Sequence, residues 1–398
     1  MSDYASAEVS GDWTYAVSAN QATITNYSGS ATEIVVPTAL EGIPVVKLGE
    51  GWPNVFYKDG TSLPITKVTI PEGIKTIGNY AFSSHDQLSE IIVPSSVTEI
   101  EELALWYNDG LEKLTVSETN SNYTDEDGIL YNKSKTSLLR YPQAKAGTTF
   151  SIPETVTEVG TYAFAGSKLT EVTIPNSVVS IQSDAFSNCM ELLGIDLPQS
   201  ITSISPSTFA GCESITSITL PDSITSIGGE AFVFCTSLES ITIPNSVTAI
   251  QGYAFRGCDS LVNITIPESV LSLGDGVFED SLKVANVTLP AALFLEGKFS
   301  KYLLTEGQVR VNQSSLKTLI DNEQDAAEAT ARTAGQGDVT GDPSSYSLYT
   351  SSEVSTAEAT ARTAGQNDVT SDPSSYSLYT SSDVSTAEAS ARTTGRSD

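Results

Sequence analysis

Leu238-Glu-Ser-Ile241-Thr-Ile243-Pro244-Asn-Ser-Val247-Thr-Ala-Ile250-Gln-Gly-Tyr-Ala254-Phe255-Arg-Gly-Cys258 is one copy of a motif that returns along most of the chain. Pro175, Pro198, Pro221, Pro244, Pro267 and Pro290 are each 23 residues apart, and Pro71 to Pro94 keeps the same step. A fixed period of this length marks a solenoid, in which each repeat is one coil that buries its apolar residues only by stacking on its neighbours. Residues one and three before each Pro are apolar, and those two and four before it are mostly polar. That is strand alternation, with Ile, Val and Leu inward and Thr and Ser outward. The Pro lacks a ladder donor and ends the strand. A second extended stretch, as in Ser246–Ile250, sends Val247 and Ile250 inward, and a turn then brings Ala254 and Phe255 into the core. Stacked coils make one continuous parallel sheet.

The departures from the period mark the ends and the insertions. Residues 1–33 read as an N-terminal cap built on a β-hairpin, with Trp13, Tyr15 and Val17 on one strand and Ala22, Ile24 and Asn26 on the other. Such a cap covers apolar area and open strand edges at a solenoid end. Residues 34–290 are the solenoid. A surplus within it, residues 118–149, contains Gly128-Ile-Leu-Tyr-Asn132 and Ser137-Leu-Leu-Arg-Tyr141, and reads as a hairpin projecting from the coils or folded over them. Residues 291–320 read as a C-terminal cap. Beyond 321 a second repeat of 30 residues appears, and residues 325–354 and 355–384 are nearly identical. The capping box Thr350-Ser-Ser-Glu353 opens an Ala-rich stretch that buries too little to fold alone. A spacer, stalk or assembly segment, helical or disordered, is expected there.

Composition narrows the partners. Twenty Lys and Arg against 49 Asp and Glu give a formal charge of −29. Such a surface repels phosphate backbones and anionic lipid headgroups, so nucleic acid and direct membrane insertion are not expected. The acidity suits solubility and leaves room for structural calcium, the only cofactor considered. The first residues show no basic stretch followed by an apolar one, so no signal peptide is visible, and no 18-residue apolar run occurs. Cys189, Cys212, Cys235 and Cys258 are spaced by the period itself. Equivalent side chains in stacked coils lie about 4.8 Å apart with parallel Cβ vectors, whereas a disulfide needs Cβ atoms about 3.8 Å apart and turned together. A buried thiol column is expected, shared in other coils by His85, Asn108, Ser167 and Ser281. No phosphate-binding Gly loop, zinc-ligand cluster or nucleophile with an adjacent base appears, and His85 lies in the packed column, so no enzyme is expected.

The repeat resembles the BspA-like leucine-rich repeat family of bacterial and protist surface proteins. The family pattern stands here as Ile215 to Gly228 followed by Ala231, Phe232 and Cys235, and the likeness runs over about residues 12–290, with Asp127-Gly-Ile-Leu-Tyr131 in the insertion. The resemblance implies a right-handed leucine-rich repeat solenoid, a cell-surface or secreted location, and adhesion to host proteins or other cells.

The outward strand face, concave in such a solenoid, is the default binding surface. Its C-terminal half is uniform Thr, Ser and Asn, while Lys67, Glu90, Ile92, Lys113 and Glu171 break the pattern in the N-terminal half. Trp106 and Tyr107 precede the insertion, and Tyr123, Tyr131 and Tyr141 lie in it; exposed aromatics beside a loop are typical interface anchors, although they could equally pin the insertion down. These ten residues are the candidate site. Three functions remain open. They are adhesion to a protein or glycan on another cell or matrix, a structural subunit self-associating through the tail repeats, and binding of ice or crystalline polysaccharide by the Thr column.

Overall fold

The computed structural model describes residues 7–290 and the backbone of Val309–Val311. Residues 7–284 form one compact unit, while 285–290 and 309–311 belong to a second. In the second unit the strand Asn286–Leu289 pairs in parallel with Val309–Val311, Thr288 opposite Arg310. The rest of the expected C-terminal cap and all of the tail repeats lie outside the described residues.

The first unit is a β-solenoid of 23-residue coils with parallel sheets and, among the described residues, no helix. Each coil contributes a three- or four-residue first strand. Ser217–Thr219 pairs with Ser240–Thr242 in the register Ile218↔Ile241, the Ile buried and its flanking Ser and Thr exposed. The Pro then does more than end the strand. Its carbonyl accepts the N–H three residues on, as in Val247 N to Pro244 O at 3.1 Å, and the same bond closes at Pro175, Pro198, Pro221 and Pro267. That tight turn accounts for the Pro-x-x-Val spacing. Two-residue second strands such as Ser226–Ile227, Ala249–Ile250 and Ser272–Leu273 make a second parallel sheet.

A third ladder lies where the sequence suggested only a turn. Phe186 N donates to Thr208 O at 2.9 Å, Phe209 N to Ala231 O at 2.9 Å, Phe232 N to Ala254 O at 2.8 Å and Phe255 N to Val277 O at 2.9 Å. These bonds bring the phenyl rings into a stack. Centroids from Phe164 through Phe186, Phe209, Phe232 and Phe255 to Phe278 are 4.9–6.0 Å apart, with planes within 13° of parallel. Burying one such ring stabilises by about 1.5–3 kcal/mol before cavity effects are counted.

Beside the rings runs the polar column. Each Cys thiol donates to the carbonyl of a Phe in the preceding coil: Cys212 Sγ to Phe186 O at 3.1 Å, Cys235 Sγ to Phe209 O at 3.2 Å and Cys258 Sγ to Phe232 O at 3.2 Å. Ser281 Oγ makes the same bond to Phe255 O at 2.7 Å. All four cysteines are free and buried, and burial raises the thiol pKa of Cys235 to about 12.

The N-terminal hairpin pairs Trp13–Ser18 with Gln21–Tyr27 around a turn in which Ala19 and Asn20 both have positive φ (49° and 61°), the geometry whose twist matches a hairpin. A bulge between Thr14 and Tyr15 shifts the alternation, so that Tyr27 is buried at 6% exposure and Asn26 is only half-buried. Gln21–Tyr27 continues in parallel onto Ile43–Leu48, Ala22 opposite Val45, and so covers the first coil.

The expected hairpin is present, Ile129–Asn132 lying antiparallel to Ser137–Arg140, but it is built into the coils and does not project from them or fold over them. The insertion is a three-stranded meander of Tyr123–Glu126, Ile129–Asn132 and Ser137–Arg140. Its last strand pairs in parallel with Glu158–Val159 and thereby serves as the second strand of a coil. It also closes the edge of the first-strand sheet that ends at Lys113–Val116: Leu114 N donates to Gly128 O, and Val116 N to Asp125 Oδ1, each at 2.8 Å. The first-strand sheet restarts at Thr149–Ser151. Gly128 is required at this seam, since its φ is +77° and an added Cβ would lie 2.7 Å from Lys113 Cβ.

Phe232→Ala is expected to destabilise by about 3–5 kcal/mol and Thr242→Ala by less than about 1 kcal/mol in equilibrium denaturation; equal losses would reverse the inward and outward assignment. Thiol titration is expected to find four reactive groups per chain in denaturant and none reacting quickly in the native protein. Two or fewer in denaturant would mean disulfides instead of a thiol column.

Candidate functional site

Outward residues of the first strands form rows at strand spacing. Glu33 pairs with Lys67 and Glu90 with Lys113, and the Ile91–Val68 register sets Lys67 beside Glu90. The row is therefore a ladder of alternating charge, Glu33, Lys67, Glu90, Lys113. Lys113 Nζ lies 2.9 Å from Glu90 Oε1, and Thr115 Oγ1 donates to the same oxygen at 2.8 Å. Burial alone would raise the pKa of Glu90, but these two bonds and the charge of Lys67 bring it below the ordinary value. A half-exposed pair of this kind contributes about 0–1 kcal/mol, so it sets the pattern of charge more than stability. The parallel row holds Val35, Thr69, Ile92 and Thr115, with Val35 and Ile92 open to solvent. Glu171 is not part of the ladder. It stands across the seam in the next sheet, between Thr149 and Gly194.

The five candidate aromatics divide. Tyr131 and Tyr141, expected to be available at the surface, are 1% and 2% exposed. Tyr141 stacks on Phe164 at 5.5 Å and starts the ring column where the insertion has displaced the usual Phe. Tyr123 is half-buried, and its hydroxyl accepts the Ile100 N–H at 2.9 Å, pinning the meander to the preceding coil. These three hold the insertion in place and are withdrawn as contact residues.

Trp106 and Tyr107 remain at the surface, and the structure adds partners that sequence reading missed. Rings run from Tyr57 to Trp52 (5.5 Å), Tyr80 (5.9 Å), Trp106 (5.9 Å) and Tyr107 (4.3 Å), mostly edge to face. Trp52 is 56% exposed and Tyr107 40%. Asn188 Nδ2 donates to Tyr107 Oη at 3.0 Å across the seam. Tyr162 stands close by, its phenol pKa raised by burial first and then by the charges of Asp184 and Glu102 and by Tyr80 and Tyr107.

Backbone geometry places these rings. In most turns after a second strand, the residue before the Ala-Phe pair and the one two after the Phe adopt positive φ, among them Tyr80 (61°), Tyr162 (55°), Asn188 (56°), Phe234 (57°) and Tyr253 (59°), and Tyr107 (50°) does so two after Leu105. Non-Gly residues in this region are uncommon and cost about 1 kcal/mol or more. The third ladder imposes the conformation and turns the side chains outward. A periodic signal was available, for Tyr stands directly before Ala-Phe at 80, 162 and 253. Trp52 and Tyr57 lie in an irregular loop and carried none. A smaller cluster uses the same positions farther along, where Arg256 lies 5.7 Å from the ring centroids of both Phe234 and Tyr253 and pairs with Asp280 at 2.9 Å.

His85 is 2% exposed, and burial holds its pKa down at about 4 against the opposing effect of the Leu63 backbone. A neutral imidazole sealed against Phe56 at 5.7 Å has no access to a substrate. Among the described residues there is no group of three or more His, Cys, Asp or Glu able to hold a metal, and no helix is long and apolar enough to cross a membrane.

Three stacked ladders, a Phe column and a repeat that keeps its inward residues while its outward ones vary define a leucine-rich repeat scaffold. The chain matches the BspA-type leucine-rich repeat region in six copies, over residues 53–143, 141–251 and 225–308, and belongs to that family. Among solved structures it is similar to a leucine-rich repeat protein from Eubacterium ventriosum (24% identity over 69% of this chain and 94% of that one, TM-score 0.46). It is also similar to a leucine-rich cell surface protein from Faecalibacterium prausnitzii (28%, 69% and 96%, TM-score 0.45). A third is the pneumococcal vaccine antigen PcpA (17%, 80% and 96%, TM-score 0.47). No curated protein matches it.

The His85 shift has a definite sign. With a folded pKa near 4 against an ordinary 6.5, its contribution to stability is complete above about pH 6.5. It is lost as pH falls toward 4, because the unfolded chain takes the proton first, for a total of about 3 kcal/mol. The stability difference between the native sequence and His85→Asn, measured by denaturation at pH 7 and pH 4, is expected to shift by that amount. A pH-independent difference would contradict a buried neutral imidazole.

Proposed function

We propose that this chain is a non-enzymatic cell-surface or extracellular binding module that recognises a protein or glycan on another cell or matrix. Family membership supports the binding and surface roles. The observation that carries the site assignment is the chain of rings Trp52, Tyr80, Trp106 and Tyr107, partly open to water where most other large aromatics among the described residues are buried in the core. Exposed rigid rings offer large contact area at low entropic cost and dominate interface energetics elsewhere. The charge ladder of Lys67, Glu90 and Lys113 and the exposed Ile92 add a patterned surface in the same N-terminal half. A net charge of −29 disfavours nucleic acid and anionic membranes as partners.

The test is a screen of the full chain against matrix proteins and glycans, followed by Trp52→Ala, Trp106→Ala and Tyr107→Ala alongside Thr242→Ala and Thr265→Ala. Loss of a central aromatic anchor is expected to weaken a captured ligand by about 30-fold or more, with the two Thr variants within about twofold. A ligand weakened only by the Thr variants would move the site to the C-terminal half of the strand face.

A further inference from the structure

The seam created by the insertion holds a half-open cavity of about 550 Å³. Leu105, Leu130 and Leu139 give it apolar walls, Tyr123 stands at one side, and Arg140 lines it from the last strand of the meander. Arg140 is 5% exposed. Its Nη1 donates to Tyr162 O at 2.6 Å and its Nη2 reaches Glu102 O at 3.5 Å. Of five guanidinium N–H donors these contacts use two. No carboxylate among the described residues pairs with it. Burial lowers its pKa to about 10, so it remains a full cation at neutral pH.

Two of the three carboxylates nearby are already engaged. Glu101 takes Lys47 Nζ and the Asn79 N–H, both at 2.8 Å. Glu158 accepts from Ser137 Oγ at 2.9 Å and from Gln182 Nε2 at 2.8 Å. Buried charges are normally paired, because an uncompensated one keeps its full desolvation cost. Here a buried guanidinium without a paired carboxylate lines a cavity whose walls are part apolar and part polar. As a mere strut between two carbonyls, Arg140 would need neither the charge nor the space.

We propose that this cavity binds a carboxylate carried on a compact apolar body, with the carboxylate on the Arg140 fork and the body against Leu105, Leu130 and Leu139. Planar bidentate recognition of a carboxylate is what a guanidinium does best. The acidic rim of Glu101, Glu102 and Glu158 selects against polyanions and tolerates an ammonium group beside the carboxylate. A free apolar amino acid and the C-terminal residue of a peptide share this chemistry. The site is separate from the aromatic strip, and Trp52→Ala is expected to leave it unchanged.

Titration calorimetry with the full chain tests this with three probes: N-acetyl-leucine as a peptide C-terminus, leucine as a free amino acid, and N-acetyl-leucinamide, which lacks the carboxylate. Saturable binding of at least one acid in the millimolar range or tighter is expected, with the amide at least about tenfold weaker. Preference between the two acids identifies the source. Arg140→Met is expected to abolish binding and Arg140→Lys to weaken it, each variant checked for folding by circular dichroism. Should Arg140→Met fail to fold, the comparison of acid with amide on the unaltered chain decides alone. Equal binding of acid and amide, no binding of either acid, or undiminished binding by a folded Arg140→Met would overturn the site.

Discussion

Every coil of this protein can bury its apolar residues only against the coil before and the coil after it. The backbone enforces the condition three times per turn, through the first-strand ladder, the second-strand ladder and the bonds between Ala-Phe turns. Once strands are held about 4.8 Å apart in register, any inward position becomes a continuous column of like side chains. The Phe stack is the plainest case, with Phe232 and Phe255 5.4 Å apart and 1° from parallel. Stability in such an array is close to a sum of repeat and nearest-neighbour terms. The columns must therefore be kept, and the outward rows are left free to vary.

The polar column follows from the same condition. A small side chain beside the ring stack must meet a Phe carbonyl of the preceding coil, and Cys, Ser or a like group with one donor meets that need. Cysteine suits the position because it is small and mostly apolar yet carries a weak donor. His85 is the poor fit in this column, a bulky ring packed against Phe56 whose pKa burial holds near 4. The arrangement of the thiols is thus a matter of packing, and redox chemistry is not needed to explain it.

The insertion shows how a repeat can be interrupted without exposing an edge. Its meander supplies one second strand, satisfies two N–H groups of the Lys113–Val116 edge and replaces a Phe by Tyr141. What it cannot reproduce is the close packing of coil on coil, and the unfilled volume around Arg140 is the result. The cavity arises where the period fails, and the ring chain joins regular turn positions such as Tyr80 to an irregular loop that carries Trp52. A cavity at such a place is the expectation for a scaffold whose regular positions are committed to folding.

The 23-residue step, the alternation around each Pro and the spacing of the cysteines were legible in the sequence, because a column repeats its chemistry at a fixed interval whatever the neighbouring atoms are. The coil, its inward residues, the capping hairpin and the buried thiols follow from that alone. Tertiary structure decided which irregular residues meet. Tyr131 and Tyr141 look like surface anchors in a loop-like stretch, yet they are buried because the meander joins the sheet. Trp52 reaches Tyr80, which in turn meets Trp106, because an irregular loop brings it beside a regular turn, a contact no period encodes. The third ladder stayed hidden for a related reason: the residues two before and two after each Phe in it, such as Tyr253 and Phe234, sit at positive φ, a backbone state that Tyr, Asn and Phe adopt only when hydrogen bonds from the next coil require it.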